Sequence, residues 1–594
     1  MLNKVNWNLE DIMPLKDFDK NLTLIEKEIL TFNDSLNSLA PEMQETTFKS
    51  ILKSYEGLTD KLMRLYARAM LWEEVAQNES EPKFLKGKVN NLLIKFDDET
   101  RLLWHWIKGK VIPGKTVLDD GNATRLFKAY PQISYLLERE RLLAKHTLDN
   151  DIESVLTNKD VLGIGTLLNL RALLDTGNKY HLTINGKKKV INNSSELMQL
   201  VQAKNPETRE KAYRALYRHY QKNETKYFAI YEAIVKNWNY EVKLRNYASA
   251  INMRNEKNDI SDEVISSLLE VCKKNAAIFQ RFFKLKAKSL KVNKLKRFDL
   301  YAPYPTTKNL KNYTYDESTK MVSDVLKRFD GDFLRNMQAI INDKHIDAFP
   351  DKNKISGAFC MTVSNKISPY ILLNHLGSNR DVLTLAHELG HGIHSKFSEK
   401  QSILAQEAPL TLAETASTFC EALVFEKMLE QSQDKTEKIE LLFHKLSDTY
   451  ATIMRQNFFV MFELDAHKQI PQGVRITDLH KLYLDNLQKQ FGDSVEVDEV
   501  FKYEWLHIPH IVNSPFYCYA YSFGELLSLA LYNNYKKRGS RYIKTIKDIL
   551  SAGGSRNAED LLKEQGIDIT KQSFWQSSFD YISSIIDELE GLLD

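Results

Sequence analysis

The sequence predicts a mainly α protein in two lobes, with a small β-sheet beside one helix. Three observations carry this. With 594 residues the chain is too long for a single core. Glycine and proline are scarce, at 22 and 14, and long segments repeat apolar residues at a spacing near 3.6. Around 357–374 short runs of strand character interrupt that pattern. A hydrophobic share of 43% with 27% charged residues is ordinary for a soluble globular protein.

Residues 61–76, from Lys61 to Ala76, show the helical spacing clearly. Residues 175–195 break it with a strand pattern and Asn185-Gly186, a pair favoured in two-residue hairpin turns. Lys187–Lys189 then read as a solvated hairpin tip. A boundary near 190 follows, dividing an N-terminal helical region, 1–190, from the remainder, 191–594. Asn205-Pro206-Glu207 marks a helix start, with Asn as cap and Pro at the first helical position. That helix, through about Tyr220, carries aromatic residues suited to core packing. A loop-rich region spans about 293–312. Gly357–Ser364 and Tyr370–Asn374 read as two short strands with Pro369 in their connection.

Lys and Arg exceed Asp and Glu by three, which argues against a dedicated nucleic-acid surface. The cysteines, Cys272, Cys360, Cys420 and Cys518, lie far apart, with no CxxC. They fit a reducing compartment better than a disulfide framework or a cysteine zinc ribbon. The first residues lack the apolar core of a signal peptide. No uncharged apolar run reaches the roughly 18 residues of a membrane span. The expectation is a cytoplasmic protein without nucleic-acid or membrane partners, of unknown oligomeric state.

Residues 387–391 read His-Glu-Leu-Gly-His. On a helix, positions i and i+4 share a face, so His387 and His391 can aim at one zinc ion, with Glu388 one step round. Zinc with three protein ligands and an open position polarises a carbonyl and acidifies a water. An adjacent carboxylate can take that water's proton.

A third ligand must come from elsewhere. Glu399, Glu407, Glu414 and Glu421 are the downstream candidates. The metzincin pattern is excluded, because His394 and Phe397 stand where it needs Gly and His. Glu414 is preferred: it lies in a largely apolar helix, Leu412–Glu426, where a buried carboxylate needs a partner. Glu414, Ser417 and Glu421 form one polar stripe. Glu421 reads as an acceptor orienting a ligand, or else as part of a solvated face. His394 also shares the motif's face. Three tandem ligands on one straight helix converge poorly, so a supporting or packing role is preferred for it over ligation.

Two further pieces bear on catalysis. His507 and His510 precede Ser514-Pro515, a helix-start signal, and are expected in an extended segment. Tyr517 and Tyr521 then share a helix face, and Tyr519 points elsewhere. A His and a Tyr hydroxyl can donate to the oxyanion of a tetrahedral intermediate. Beside a zinc motif the cluster reads as a catalytic wall; without one it reads as core. The strand beginning at Gly357-Ala358-Phe359 can offer a free edge to an extended peptide, and reads equally as a structural hairpin.

Several stretches resemble the M3 metallopeptidases, and within them the oligoendopeptidase F group. They are Trp7-Asn-Leu-Glu-Asp-Ile12, Arg209–Leu216, Gly357-Ala-Phe359, Pro369-Tyr-Ile371, Thr384–His394, Leu412–Thr418, Ile508-Pro-His510 and Pro515–Tyr521. The resemblance implies a two-lobed helical zincin with a deep channel between the lobes. It implies one zinc ion per chain on His387, His391 and Glu414, with Glu388 as general base. His510 with one or both of Tyr517 and Tyr521 would serve the oxyanion and substrate, and Gly357, Ala358 and Phe359 the substrate. The implied activity is endopeptidase cleavage of short unstructured peptides. Two alternatives stand beside it. A gluzincin-type aminopeptidase needs an acidic motif for a free amine, and none is found before residue 387. A helical peptide-binding protein with structural zinc would be expected to use four protein ligands.

Overall fold

The computed structural model describes residues 6–305 and 311–594. Part of the loop-rich region, 306–310, lies outside the described residues. The rest of that region holds a two-residue strand, Leu295–Lys296, and a 3₁₀ turn, Arg297–Asp299. The fold is mainly helical. The strands among the described residues form two two-stranded sheets and one three-stranded sheet. No helix among these residues is long and apolar enough to cross a membrane.

Two compact units are present, and neither is contiguous in sequence. The first comprises Met1–Asn150, Lys311–Met428 and Asn534–Ile567; the second comprises Asp151–Leu310, Leu429–Asn533 and Asp568–Asp594. A cut near 190 would fall inside the second unit. The hairpin there, Tyr180–Ile184 with Lys187–Ile191, buries Tyr180 and Leu182. It is tied to the helix that follows, where Lys211 Nζ donates to the Thr183 carbonyl at 2.9 Å. Asn185 and Gly186 both have positive φ, 50° and 74°, as a type I′ turn requires.

In the first unit, helices Phe18–Ser35, Glu45–Val75 and Ser80–Ile107 pack against one another. The segment 61–76 belongs to the second of these. Its buried stripe Leu58, Leu62, Leu65 and Ala69 has the i, i+4, i+7 spacing of a core-facing helix.

A three-stranded sheet has Tyr370–Leu372 at its centre, parallel to Ile346–Asp347 and antiparallel to Phe359–Met361. Helix Asn379–Phe397, which carries residues 387–391, lies against this sheet. It starts with a capping box: Ser378 Oγ accepts from the Asp381 N–H at 3.2 Å, and Asp381 Oδ2 accepts from the Ser378 N–H at 2.9 Å. Such reciprocal bonds satisfy amide donors that a helix start leaves unpaired.

Two glycines let this helix approach its neighbours. A Cβ at Gly392 would meet Ile340 Cδ1 at 2.6 Å and Pro369 Cγ at 3.3 Å. A Cβ at Gly390 would meet Ser417 Cα at 2.5 Å and the Ala416 carbonyl oxygen at 2.6 Å. The first obstacle nearest Gly392 is the tip of a side chain; the obstacle at Gly390 is the backbone of helix Thr415–Gln431.

The second unit is built on the 39-residue helix Pro206–Leu244. Asn205 Oδ1 caps it, accepting from the N–H groups of Glu207 at 2.8 Å and Thr208 at 3.3 Å. The helix runs well past Tyr220, because no breaker occurs before Asn246, whose φ is 58°. Tyr213, Tyr217 and Tyr220 are buried, as core packing requires. Arg297, 1% exposed, bonds Glu504 Oε1 at 2.6 Å, and the Phe501 ring lies 4.8 Å from its guanidinium carbon. A buried charge of this kind is tolerable only when paired.

The contrast between the two glycines yields a test. Alanine normally gains about 1 kcal/mol over glycine inside a helix. At Gly390 the backbone contact should reverse that sign, and Gly390→Ala is expected to destabilise the protein by about 1–3 kcal/mol. Gly392→Ala should cost less, since Ile340 can rotate. Thermal and urea unfolding of both variants measures this. A Gly390→Ala protein as stable as the parent would contradict the close approach.

Candidate metal centre and catalytic residues

The capped helix holds His387 and His391 one turn apart, with ring centroids 4.9 Å from each other. Glu414 comes from the opposing segment. It sits at the junction between a short helical turn, Leu410–Ala413, and helix Thr415–Gln431, with φ −85° and ψ 1°. It is therefore at the mouth of that helix rather than within a continuous one, as the apolar pattern suggested. The contact at Gly390 brings this junction to the histidines. Glu414 Oε2 lies 3.3 Å from His387 Nε2 and 3.4 Å from His391 Nε2.

These three groups form the candidate metal donors, one atom from each lying within 4.8 Å of the others. Zinc–nitrogen and zinc–oxygen bonds of about 2.0–2.2 Å place tetrahedral donors roughly 3.3–3.5 Å apart. The carboxylate-to-imidazole separations match that edge length, so the residues fit the ion.

Neighbouring groups fix the donors. Ser417 Oγ donates to Glu414 Oε2 at 2.8 Å, and Glu421 Oε2 lies 3.3 Å from His387 Nδ1. The bond at Nδ1 leaves Nε2 facing Glu414, the arrangement that orients metal-binding histidines. The polar stripe Glu414, Ser417, Glu421 is thus one working unit. His394 is not among the donor group. Its ring bonds the Ala413 backbone, and burial, with the neighbouring His391, holds its pKa down at about 4. Glu399 pairs with Lys396 at 2.5 Å.

The electrostatics follow from this crowding. Burial disfavours charge on His387, but its bonds to Glu414 and Glu421 outweigh that and push its pKa up to about 10. Glu414 is pushed the other way: burial would raise its pKa, and the two histidines hold it well below the usual carboxylate range. A cluster of two imidazoles and two carboxylates that shares protons so tightly is one a dication can enter by displacing them. Glu388, 7% exposed, differs: burial dominates and raises its pKa, despite both histidines.

Phe359–Met361 is the edge strand of its sheet. Gly357 and Ala358 precede it, Gly357 with φ 93° and its carbonyl accepting from Asn374 Nδ2 at 2.8 Å. The Phe359 ring packs near Trp7, 6.3 Å between centroids. What Phe359 can offer a ligand is therefore its main chain.

The C-terminal cluster belongs to the second unit, and its local structure departs from expectation. His507 and His510 are not in an extended segment. They lie in short helical turns, Glu504–His507 and His510–Asn513, and Ile508 between them is extended, with ψ 106°. The reason is Pro509, which drives only the residue before it out of the helical region. The following helix begins at Tyr519, not at Pro515, because Phe516 has φ 60°. Two distant groups hold that strained turn. Glu463, 0% exposed, accepts from the Phe516 N–H at 2.7 Å, and burial pushes its pKa up to about 8. Arg254 donates to the Pro515 carbonyl at 2.9 Å and to Ser514 Oγ at 3.0 Å. Neither was legible in sequence, since each acts on a segment far away in the chain.

The turn assembles His510, Tyr517 and Tyr521. Tyr521 Oη lies 3.3 Å from His510 Nε2. The Tyr517 ring lies parallel to His510 at 6.2 Å and edge-on to Tyr521 at 5.3 Å. Tyr519 is directed away, its buried hydroxyl accepting from Asn258 Nδ2 at 2.7 Å.

Comparison with known proteins points the same way. Oligopeptidase PepF of Bacillus subtilis is 26% identical over 603 residues, covering 99% of this chain and 87% of the relative. The chromosomal oligoendopeptidase F of Lactococcus lactis is 29% identical over 398 residues, covering 66% and 65%. Two solved structures share the fold. A putative peptidase from Chlamydophila abortus has a TM-score of 0.85 at 23% identity, covering 99% of this chain and 98% of its own. The oligoendopeptidase-F from Enterococcus faecium has a TM-score of 0.72 at 21% identity, covering 98% and 99%. The sequence model of Peptidase family M3 matches residues 199–581, a span that holds both histidines, Glu414 and the tyrosine cluster. On that match, extending over well more than half of its length, the chain belongs to peptidase family M3.

Proposed function

We propose that this peptidase is a zinc-dependent endopeptidase that cuts short, unstructured oligopeptides at internal bonds. The observation that carries the reading is the donor triangle of His387, His391 and Glu414, with edges of 3.3 and 3.4 Å to the carboxylate, beside the buried Glu388. The names of the relatives, oligopeptidase and oligoendopeptidase, support small peptides and internal cleavage.

When bound, zinc would supply Lewis-acid polarisation of the scissile carbonyl and would acidify the attacking water. Glu388 takes that water's proton and delivers it to the departing amine nitrogen. The pKa raised by its burial favours the uptake half of that exchange, since a carboxylate of ordinary acidity is a poor base. Ser417 and Glu421 keep Glu414 and His387 aligned. The edge strand Phe359–Met361 binds the peptide in extended form through backbone hydrogen bonds, which tolerate many side chains. His510 and Tyr521, with Tyr517 beside them, donate hydrogen bonds to the oxyanion. Their role rests on the family resemblance and on their assembly into one cluster.

Three experiments test this. Metal analysis paired with turnover separates ligand from base: His387→Ala, His391→Ala and Glu414→Ala lose bound zinc and activity together. Glu388→Gln keeps zinc and loses about 10²–10⁴-fold in turnover. Full zinc occupancy in Glu414→Ala would remove it from the ligand set.

Tyr521→Phe and His510→Ala are expected to lower kcat while folding and zinc content hold. A single oxyanion donor is worth about 2.7–4 kcal/mol. Unchanged rates in both variants would return the cluster to core packing.

A ladder of end-blocked peptides, with casein as a long unfolded control, tests the mode of attack. Internal cuts in short blocked peptides and survival of casein are expected. Cleavage only from a free amino end would identify an aminopeptidase instead.

A further inference from the structure

Next to the donor triangle the first unit contains a cavity of about 280 Å³, with His391, Cys360, Met361, Met63 and Glu407 in its wall. Its lining includes no lysine or arginine. The Glu407 carboxylate has no hydrogen-bond or ion-pair partner among the described residues, and burial alone raises its pKa. Three nearby carboxylates are engaged: Glu399 by Lys396, Glu414 by Ser417 and the histidines, Glu421 by His387. Glu407 is itself exposed, so water solvates this carboxylate until a cation displaces it.

We propose that Glu407 determines specificity, selecting peptides that carry a basic side chain close to the scissile bond. The ammonium or guanidinium group enters this cavity and pairs with the Glu407 carboxylate. This inference rests on the peptidase reading above and names its substrate class. Three features favour a side chain. His391 forms one wall, so the cavity borders the candidate reaction centre. Met63 and Met361 offer apolar surface for the methylene stem, which long basic side chains bury while their heads stay polar. The volume accepts a whole side chain, which a terminal amine alone would not need.

The experiment uses acetylated, amidated peptides of one length. Lys, Arg, norleucine or Glu is placed in turn at each position around the cut, and kcat/KM is measured with the zinc-loaded enzyme. At one position Lys and Arg should exceed norleucine by roughly 2–5-fold, the range expected when a solvent-accessible charge pair is gained. That ratio should collapse towards unity in Glu407→Gln and turn in favour of Glu in Glu407→Lys. Reading a ratio removes any general loss of activity. Calorimetric affinities of the same peptides for Glu388→Gln should give the same ranking without turnover. No basic preference in the parent, or one that persists in Glu407→Gln, would overturn the proposal. A preference for free over acetylated amino termini that vanishes in Glu407→Gln would also overturn it, assigning the carboxylate to the peptide's own α-amine. Failure to cut any peptide would instead count against the endopeptidase reading, and the calorimetric ranking would still decide on Glu407.

Discussion

The candidate metal site depends on one close contact, between the backbone of helix Thr415–Gln431 and the helix face at Gly390. A donor triangle with edges of 3.3 and 3.4 Å to the carboxylate demands that Glu414 stand almost against the imidazoles. Two helices with ordinary side chains between them lie about 8–10 Å apart, axis to axis. Removing the Cβ at Gly390 lets Ser417 Cα and the Ala416 carbonyl come in where that carbon would have been. The three residues that follow His387 therefore serve separate ends: Glu388 the proposed chemistry, Leu389 the core, and Gly390 the approach.

Once the helices meet, the remaining polar groups fall into place around them. The cap of Ser378 and Asp381 settles where the histidine-bearing helix begins. Ser417 and Glu421, one and two turns along from Glu414, each restrain a different donor. His394 bonds to Ala413, the residue just before Glu414. Glu388 has no such bond among the described residues, and burial, opposed by the two histidines, raises its pKa. In the proposed mechanism, donors held by neighbouring groups stand beside a base that no hydrogen bond ties down, a division of labour that suits a hydrolytic metal site.

The second unit solves a comparable problem differently. Its tyrosines are placed by a turn in which Phe516 takes a left-handed conformation that a bulky residue adopts only under external constraint. The constraint comes from Glu463 beneath the Phe516 amide and from Arg254 on the Pro515 carbonyl. A buried carboxylate with one backbone donor is an expensive clamp, and its presence marks the turn as one that the fold works to maintain.

The sequence by itself determined whatever depends on short-range periodicity. The i, i+4 histidines, the Asn205 cap, the Asn185-Gly186 turn and the two strands either side of Pro369 are all local, and each was legible. So was the stripe of Glu414, Ser417 and Glu421, because helical spacing puts those side chains on one face. The tertiary structure alone decided three things. It interleaved the units, since compactness is set by which surfaces bury one another and not by chain order. It moved the start of the tyrosine helix to Tyr519, because a strained residue held from a distance overrides the proline signal. It turned Glu407 from a possible ligand into the wall of a cavity, because whether a carboxylate meets a metal, a lysine or nothing depends on what folds against it.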